Sequence, residues 1–165
     1  MRSRSEFDAY VLSRAHSLLR LAAAVVGDRA DAEDVLQDTL VAVYLHWPRI
    51  RGDERDAYVR TALIRRCIDL LRRRARRPTT PLTQVDETDL PDASDAIADA
   101  DETLRLLHAL APRQRAVLAL RYLDDRSDAQ IAQILGISPR TVKSTTSQAL
   151  GTLRRRLAIT TGAER

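Results

Sequence analysis

The sequence predicts an all-α protein built as two small helical domains joined by an acidic linker. Three observations carry this. Glycine and proline are scarce, at 5 and 6 in 165 residues, and aromatics make up only 4%. So few turn signals, with few β-branched or aromatic runs, argue against a sandwich, a barrel or a nucleotide-binding sheet. Alanine, leucine and arginine, all good helix formers, dominate the chain. The apolar residues, 44% of the total, recur at helical spacing and suffice for a core.

Several function classes fall away on composition. One cysteine, Cys67, excludes an internal disulfide framework and a multi-cysteine zinc site. No apolar run is expected to span a bilayer, since Leu21 to Val26 is short and lies between Arg20 and Asp28. No signal-peptide pattern opens the chain, so a cytoplasmic protein without membrane insertion is expected. The chain contains no GxxxxGK, HExxH or CxxC motif and no Ser-His-Asp cue. The expectation is therefore a protein that is not an enzyme, with no cofactor and no metal.

The first domain is expected over residues 1–77, as three helices. The first helix runs from about Glu6 to Val26, with Phe7, Val11, Ala15, Leu18, Leu19, Ala22 and Val25 on one stripe. Gly27 and Asp28 end it. The second begins near Asp31 and stops at Trp47, because Pro48 disfavours helix before it. Its core face is Leu36, Leu40, Val43, Tyr44 and Trp47. The third runs from about Glu54 to Arg76, with Val59, Ala62, Leu63, Cys67, Leu70 and Leu71 inward. Cys67 is thus expected to be packed rather than reactive.

Two charged clusters in this domain ask for partners. Asp31, Glu33, Asp34 and Asp38 open the second helix. The helix dipole favours acids in a first turn, which accounts for the first three but not for Asp38. His46 lies eight residues beyond Asp38, about 12 Å along the axis, too far to complete a metal site. A docking surface for a basic protein fits better. At the other end, the third helix carries Arg65 and Arg66, then Arg72, Arg73, Arg74, Arg76 and Arg77. The dipole explains two or three of these; phosphate contact explains the rest. Tyr58 could stack on an unpaired base.

Residues 78–102 hold eight acids and no base, against net charges of +5 before them and +7 after. Three of the six prolines fall here, so this is the expected flexible linker. At about 3.3 Å per residue it reaches at most ~80 Å, or roughly 23 base pairs of duplex. Two domains on that tether could touch separate stretches of one DNA.

The second domain is expected over residues 103–160, with a disordered tail at 161–165. Leu104, Leu107 and Leu110 mark a short helix, and Pro112 starts another that carries Val117, Leu118, Leu120, Tyr122 and Leu123. Ser127 and Gln130 form a capping box for a third helix. Ser138 and Pro139 open a fourth. Ala132, Gly136 and Val142 have the spacing of a helix-turn-helix: a small residue at the crossing, a glycine at the turn, an apolar anchor beyond it. The expected outer face is Arg140, Thr141, Lys143, Ser144, Thr145, Ser147 and Gln148, all hydrogen-bonding and none acidic. A helix entering the major groove needs such a face.

The order of these parts resembles the extracytoplasmic-function (group IV) sigma factors of bacterial RNA polymerase, and looks most like the actinobacterial SigE-like group. Three stretches carry the resemblance: GDRADAEDVLQDTLVAVYLHW, DAYVRTALIRRCIDLLRRR and LAPRQRAVLALRYLDDRSDAQIAQILGISPRTVKSTTSQALGTLR. It covers nearly the whole chain, from Glu6 to Leu157. It implies a sigma factor that binds core polymerase, reads minus-10 and minus-35 elements and aids promoter melting. It implies that Asp31, Glu33, Asp34, Gln37 and Asp38 face the β′ clamp helices, and that Leu104 to Leu123 lie against the β flap. It implies that the loop Arg51 to Arg55, Asp53 included, holds a flipped minus-10 base. Tyr58, Arg60, Arg65, Arg66, Asp69, Arg72 and Arg73 would follow that strand. Ser138, Arg140, Thr141, Lys143, Ser144, Thr145, Ser147 and Gln148 would lie at the minus-35 groove. An anti-sigma protein is an expected regulator, and the free protein an expected monomer. Two positions depart from the family pattern: Arg65, where asparagine is common, and Gln148, where relatives more often carry a basic residue. Promoter preference is expected to shift accordingly.

Three other readings share some of these features. A helix-turn-helix repressor would bind duplex DNA tightly without polymerase, usually as a dimer. A metal-dependent nuclease would use the acidic cluster and lose activity on chelation. A sigma-like decoy for an anti-sigma protein would have lost its DNA-reading surfaces, whereas both here keep basic character.

Overall fold

A computed structural model describes residues 2–76 and 106–162, all helix and connecting turn. The acidic stretch 78–102 and the end of the expected tail, 163–165, lie outside the described residues.

The first helix, α1 (Arg2–Val26), starts a turn earlier than the sequence suggested. Arg4–Val26 is, contrary to expectation, long and apolar enough to cross a membrane by length and composition. Here its second half is spent on the core: Leu18, Leu21, Ala22, Ala24, Val25 and Val26 are buried. Gly27 ends the helix at φ +92°, a left-handed turn that glycine adopts without strain. The His108 ring lies against it so closely that a Cβ at this position would sit 2.5 Å from Nε2.

Helix α2 (Arg29–His46) is capped by Asp28, whose carboxylate accepts the Asp31 N–H at 2.8 Å. Pro48 stops it as expected, and Trp47–Arg49 form one 3₁₀ turn. Helix α3 (Arg55–Arg76) follows the turn 51–54. In the second half, residues 106–108 make a single helical turn before α4 (Pro112–Tyr122). Helices α5 (Asp128–Leu135) and α6 (Pro139–Gly162) form the helix-turn-helix. Because α6 reaches Gly162, the first two residues of the expected tail are helical.

The two halves share one core. Helix α4 packs on α1, α3 and α6, and α5 packs on α3. Residues 115–120 of α4 are all buried, as befits a helix enclosed on every side. This explains the core residues that a single amphipathic stripe does not find. Ile64 and Ile68 on α3, and Leu21, Ala24 and Val26 on α1, are buried although they lie off the expected stripes. Tyr44, expected in the core, is 42% exposed; its ring meets Phe7 at 5.0 Å on the rim of the α1–α2 groove.

Arg115 holds this junction and was invisible in the sequence. Its guanidinium donates to the Val25 carbonyl at the end of α1 (2.8 Å), and to the carbonyls of His108 (3.0 Å) and Leu110 (3.2 Å). Burial pushes its pKa down. The free carbonyls at the C-terminus of α1 carry partial negative charge and offset that cost.

Cys67 is fully buried, and burial pushes its thiol up to about 12. At pH 8 its thiolate population is then about a thousandfold lower than that of an ordinary cysteine. A chromogenic disulfide reagent should leave the native protein unlabelled and modify Cys67 fully in urea. Rapid labelling without denaturant would contradict this packing.

Candidate nucleic-acid interface

Local chemistry builds the helix-turn-helix as the spacing predicts. Ser127 Oγ accepts the Gln130 N–H at 3.3 Å, and Gln130 Oε1 accepts the Ser127 N–H at 3.0 Å. Gly136 takes φ +64°, ψ +40°, and the Ile137 N–H returns to the Ala132 carbonyl at 3.0 Å. Ala132 is 6% exposed at the crossing and Val142 is fully buried. Ser138 caps α6, accepting the Thr141 N–H at 3.1 Å. An Arg121–Asp128 ion pair ties α4 to the first turn of α5.

Arg140, Lys143, Ser144, Ser147 and Gln148 are exposed together on one side of α6, and Thr141 is half-buried beside them. Thr145 is the exception and a correction. It is 8% exposed and points into the domain with Val142, Thr146 and Ala149. At 100° per residue, α6 must bury this whole arc to pack on both α4 and α5.

On α2, Glu33, Asp34, Gln37 and Asp38 are exposed, and Val41 and Leu45 continue the same face at 61% and 71% exposure. An apolar groove between α1 and α2 runs beside them, lined by Phe7, Leu19, Leu36, Leu40, Val41 and Tyr44. These apolar residues went unread in the sequence because the acids drew attention and Leu40 and Tyr44 passed for core. Asp31 stands apart from the acidic face. Its carboxylate takes two hydrogen bonds from Arg74, at 2.5 and 2.7 Å, which hold its pKa below the usual value.

Residues expected along minus-10 DNA divide into two groups. Arg51 and Asp53 sit exposed in the turn, 3.8 Å apart. Tyr58, Arg65, Arg66, Asp69, Arg72 and Arg73 are exposed on α3. Arg55 instead lies over the Trp47 ring, 4.5 Å from its centroid, and pairs with Glu6 at 3.0 Å. A cavity of about 510 Å³ opens there between α1 and the turn, lined by Tyr10, Trp47, Gly52 and Arg55 among others.

Arg60 departs furthest from expectation: it is 2% exposed. Its Nε and Nη2 donate to the two carboxylate oxygens of Asp124, at 2.6 and 3.0 Å. It also pairs with Asp56. Arg126 closes the square, at 2.8 Å to Asp124 and 3.2 Å to Asp56, and the Tyr10 hydroxyl donates to Asp56 at 3.1 Å. Burial works against the Arg60 charge, but its bonds to Asp124 and the charges of Asp124 and Asp56 outweigh it and push its pKa up. Burial and Asp56 push the Tyr10 pKa up as well. Asp125 turns the loop at φ +50°, a conformation aspartate tolerates better than most residues, so that Asp124 and Arg126 both reach α3. Of the stretch from 104 to 123 expected against the flap, residues 104 and 105 lie outside the described residues, residues 115 to 120 are buried, and Tyr122 and Leu123 are an exposed apolar end.

The described residues form helices and connecting turns, with a basic, acid-free exposed face on α6 and a second, arginine-studded helix in α3, the makeup of a nucleic-acid-binding protein of the transcription class. Comparison with known proteins gives the family. Residues 10–77 match the family model for sigma-70 region 2, and residues 100–153 that for sigma-70 region 4. The chain is 39% identical over 154 residues to the RNA polymerase sigma-E factor of Streptomyces coelicolor, covering 92% of this chain and 86% of that protein. It is 36% identical over 143 residues to the ECF RNA polymerase sigma factor SigL of Mycobacterium tuberculosis, covering 83% of this chain and 80% of the other. Two solved structures share the fold at a TM-score of 0.72. One is CnrH in complex with the cytosolic domain of CnrY, 20% identical, covering 94% of this chain and 90% of that one. The other is the sigma factor RpoE in complex with the anti-sigma factor NepR from Bartonella quintana, 22% identical, covering 93% and 98%. The chain belongs to the sigma-70 family of RNA polymerase sigma factors, in its extracytoplasmic-function branch. It acts as a promoter-directing factor in transcription initiation.

Proposed function

We propose that the exposed face of α2 docks on core RNA polymerase, that α3 and the turn before it take the minus-10 strand, and that α6 reads the minus-35 element. The polymerase face joins Glu33, Asp34, Gln37 and Asp38 to the apolar groove, so its partner is a helical surface with apolar ridges and basic flanks, as expected of the β′ clamp helices. Tyr122 and Leu123 extend the contact to the β flap. The single observation that supports the DNA reading best is the acid-free exposed face of α6, from Arg140 to Gln148. Capture of an extruded base by the turn 51–54, with Arg51 and Asp53 at its rim, offsets a few kcal/mol of unstacking and so aids melting. An anti-sigma protein is a fitting regulator, since both solved relatives were captured with a partner, CnrY or NepR. The protein works in the cytoplasm with polymerase.

Run-off transcription with core polymerase on a library of promoter fragments tests this. Transcripts that require the protein are expected, and Asp34→Arg with Asp38→Arg should abolish them together with polymerase binding. Tight binding to duplex DNA by the protein alone, with no polymerase contact, would leave the repressor reading in its place.

A further inference from the structure

We propose that the groove between α6 and the corner where α4 meets α5 seats phosphates of the promoter duplex, and that Arg154 and Arg121 hold the DNA backbone there while the exposed face of α6 reads the minus-35 bases. The proposal rests on the reading of α6 as the minus-35 helix and adds a site beside its reading face.

The groove has a volume of about 380 Å³. One wall is a stripe of α6: Lys143, Ser147, Leu150 and Arg154 stand at i, i+4, i+7 and i+11, so they share a side of the helix. Arg121 near the end of α4 and Asp128 at the start of α5 form the facing wall. Three cations thus look onto one carboxylate, and that carboxylate is already paired, since Arg121 Nη2 donates to it. Arg121 Nη1 takes no part in that pair. Among the described residues neither Lys143 nor Arg154 has an acidic partner. The exposed Ser147 hydroxyl is also unspent there, whereas the Thr146 hydroxyl donates to the Val142 carbonyl at 2.9 Å. Guanidinium forks, an ammonium and a hydroxyl around one groove suit a phosphate, whose oxygens accept several charge-assisted hydrogen bonds at once.

Continuity with the reading face makes DNA the source of that phosphate. Lys143 and Ser147 belong to both surfaces, so a duplex seated against Arg140, Ser144 and Gln148 brings a strand of its backbone along this side of α6. Lys143 and Arg154 lie about 16 Å apart along the helix axis. Phosphates of one strand rise about 3.4 Å apart along a duplex, so a stripe of this length meets more than one. Such a seat carries no sequence information. It fixes the register and tilt of α6 in the groove, and the base contacts then specify.

The test measures binding of the full chain to a short fluorescent duplex, taken from a promoter it transcribes, over a range of salt concentrations. Arg154→Gln should weaken binding about tenfold at about 0.1 M salt and flatten the slope of log affinity against log salt by about 0.9, the effect of one lost phosphate contact. The ranking of duplexes with altered minus-35 bases should stay as in the wild type, and Arg154→Lys should restore the slope. Arg121→Gln should act the same way, but its pair with Asp128 ties α4 to α5, so Arg154 carries the test. A duplex with one phosphate replaced by a neutral methylphosphonate leaves the fold of the protein alone. At one flanking position it should lower wild-type affinity as much as Arg154→Gln does, and cost that variant nothing further. Wild-type affinity and slope in Arg154→Gln would overturn the seat. So would inorganic phosphate that binds the wild type but not Arg154→Gln while the DNA slope is unchanged, which would assign the groove to a free phosphate. Arg140→Ala with Lys143→Ala separates this from the function itself: loss of duplex binding in that variant alone rejects only the phosphate seat, whereas wild-type binding in both rejects α6 as the minus-35 reader.

Discussion

Replacing Trp47 by alanine is expected to destabilise the protein by about 3–5 kcal/mol, the range for truncating a large buried aromatic. Trp47 is 1% exposed and packs edge-on against Phe7 at 5.1 Å and tilted against Tyr10 at 5.1 Å. Each such ring pair adds about 0.5–1.5 kcal/mol beyond area burial. The Arg55 guanidinium, stacked on the same ring, loses its platform too. Trp47 also sits where α2 gives way to the turn that precedes α3, so its loss should loosen that turn first. For a domain of this size the melting temperature should fall by roughly 6–20 °C. Urea denaturation followed by circular dichroism is the measurement, since the only tryptophan is the residue removed. A change below 1 kcal/mol would mean that the three rings do not anchor α1 to α2.

The second large effect is expected on α6. Arg140→Ala and Lys143→Ala remove both positive charges from its exposed reading face while leaving the buried arc of Val142, Thr145, Thr146 and Ala149 untouched. Each contact to a base edge or phosphate is worth about 1–3 kcal/mol. The double variant should therefore reduce transcription from a promoter that needs its minus-35 element by at least about a hundredfold, with polymerase binding unchanged. The salt dependence of promoter binding should become shallower by about one charge for each residue that met a phosphate. If only the affinity falls, uniformly across promoter sequences, both side chains contact backbone. If the promoter preference also changes, at least one reads a base. Full activity of the double variant would remove α6 from promoter recognition.

Much of this protein is written locally. Capping residues, the prolines at 48, 112 and 139, and the small–glycine–apolar spacing act within a few residues, so Pro48, Ser127, Gly136, Ser138 and Pro139 do in three dimensions what their neighbours in sequence imply. The chemistry of the surfaces was legible for the same reason: an acid-free stretch from Arg140 to Gln148 and an acidic start to α2 need no knowledge of distant contacts. Thr145 and Tyr44 were misassigned because a periodicity fixes which residues share a face. It does not fix how wide an arc the neighbouring helices will cover.

What only the tertiary structure decided is the meeting of the two halves. Arg60 reads in the sequence as one more arginine on a basic helix, and Asp124 as part of a turn. Sixty-four residues of chain separate them, and no local rule connects them. Their pairing, the reach of Arg115 to the end of α1, and the fit of His108 against Gly27 all follow from α4 lying between α1, α3 and α6. The sequence determined the parts, their order and their class because propensity, capping and periodicity are short-range. The burial of Arg60, one of the expected DNA contacts, came from long-range packing.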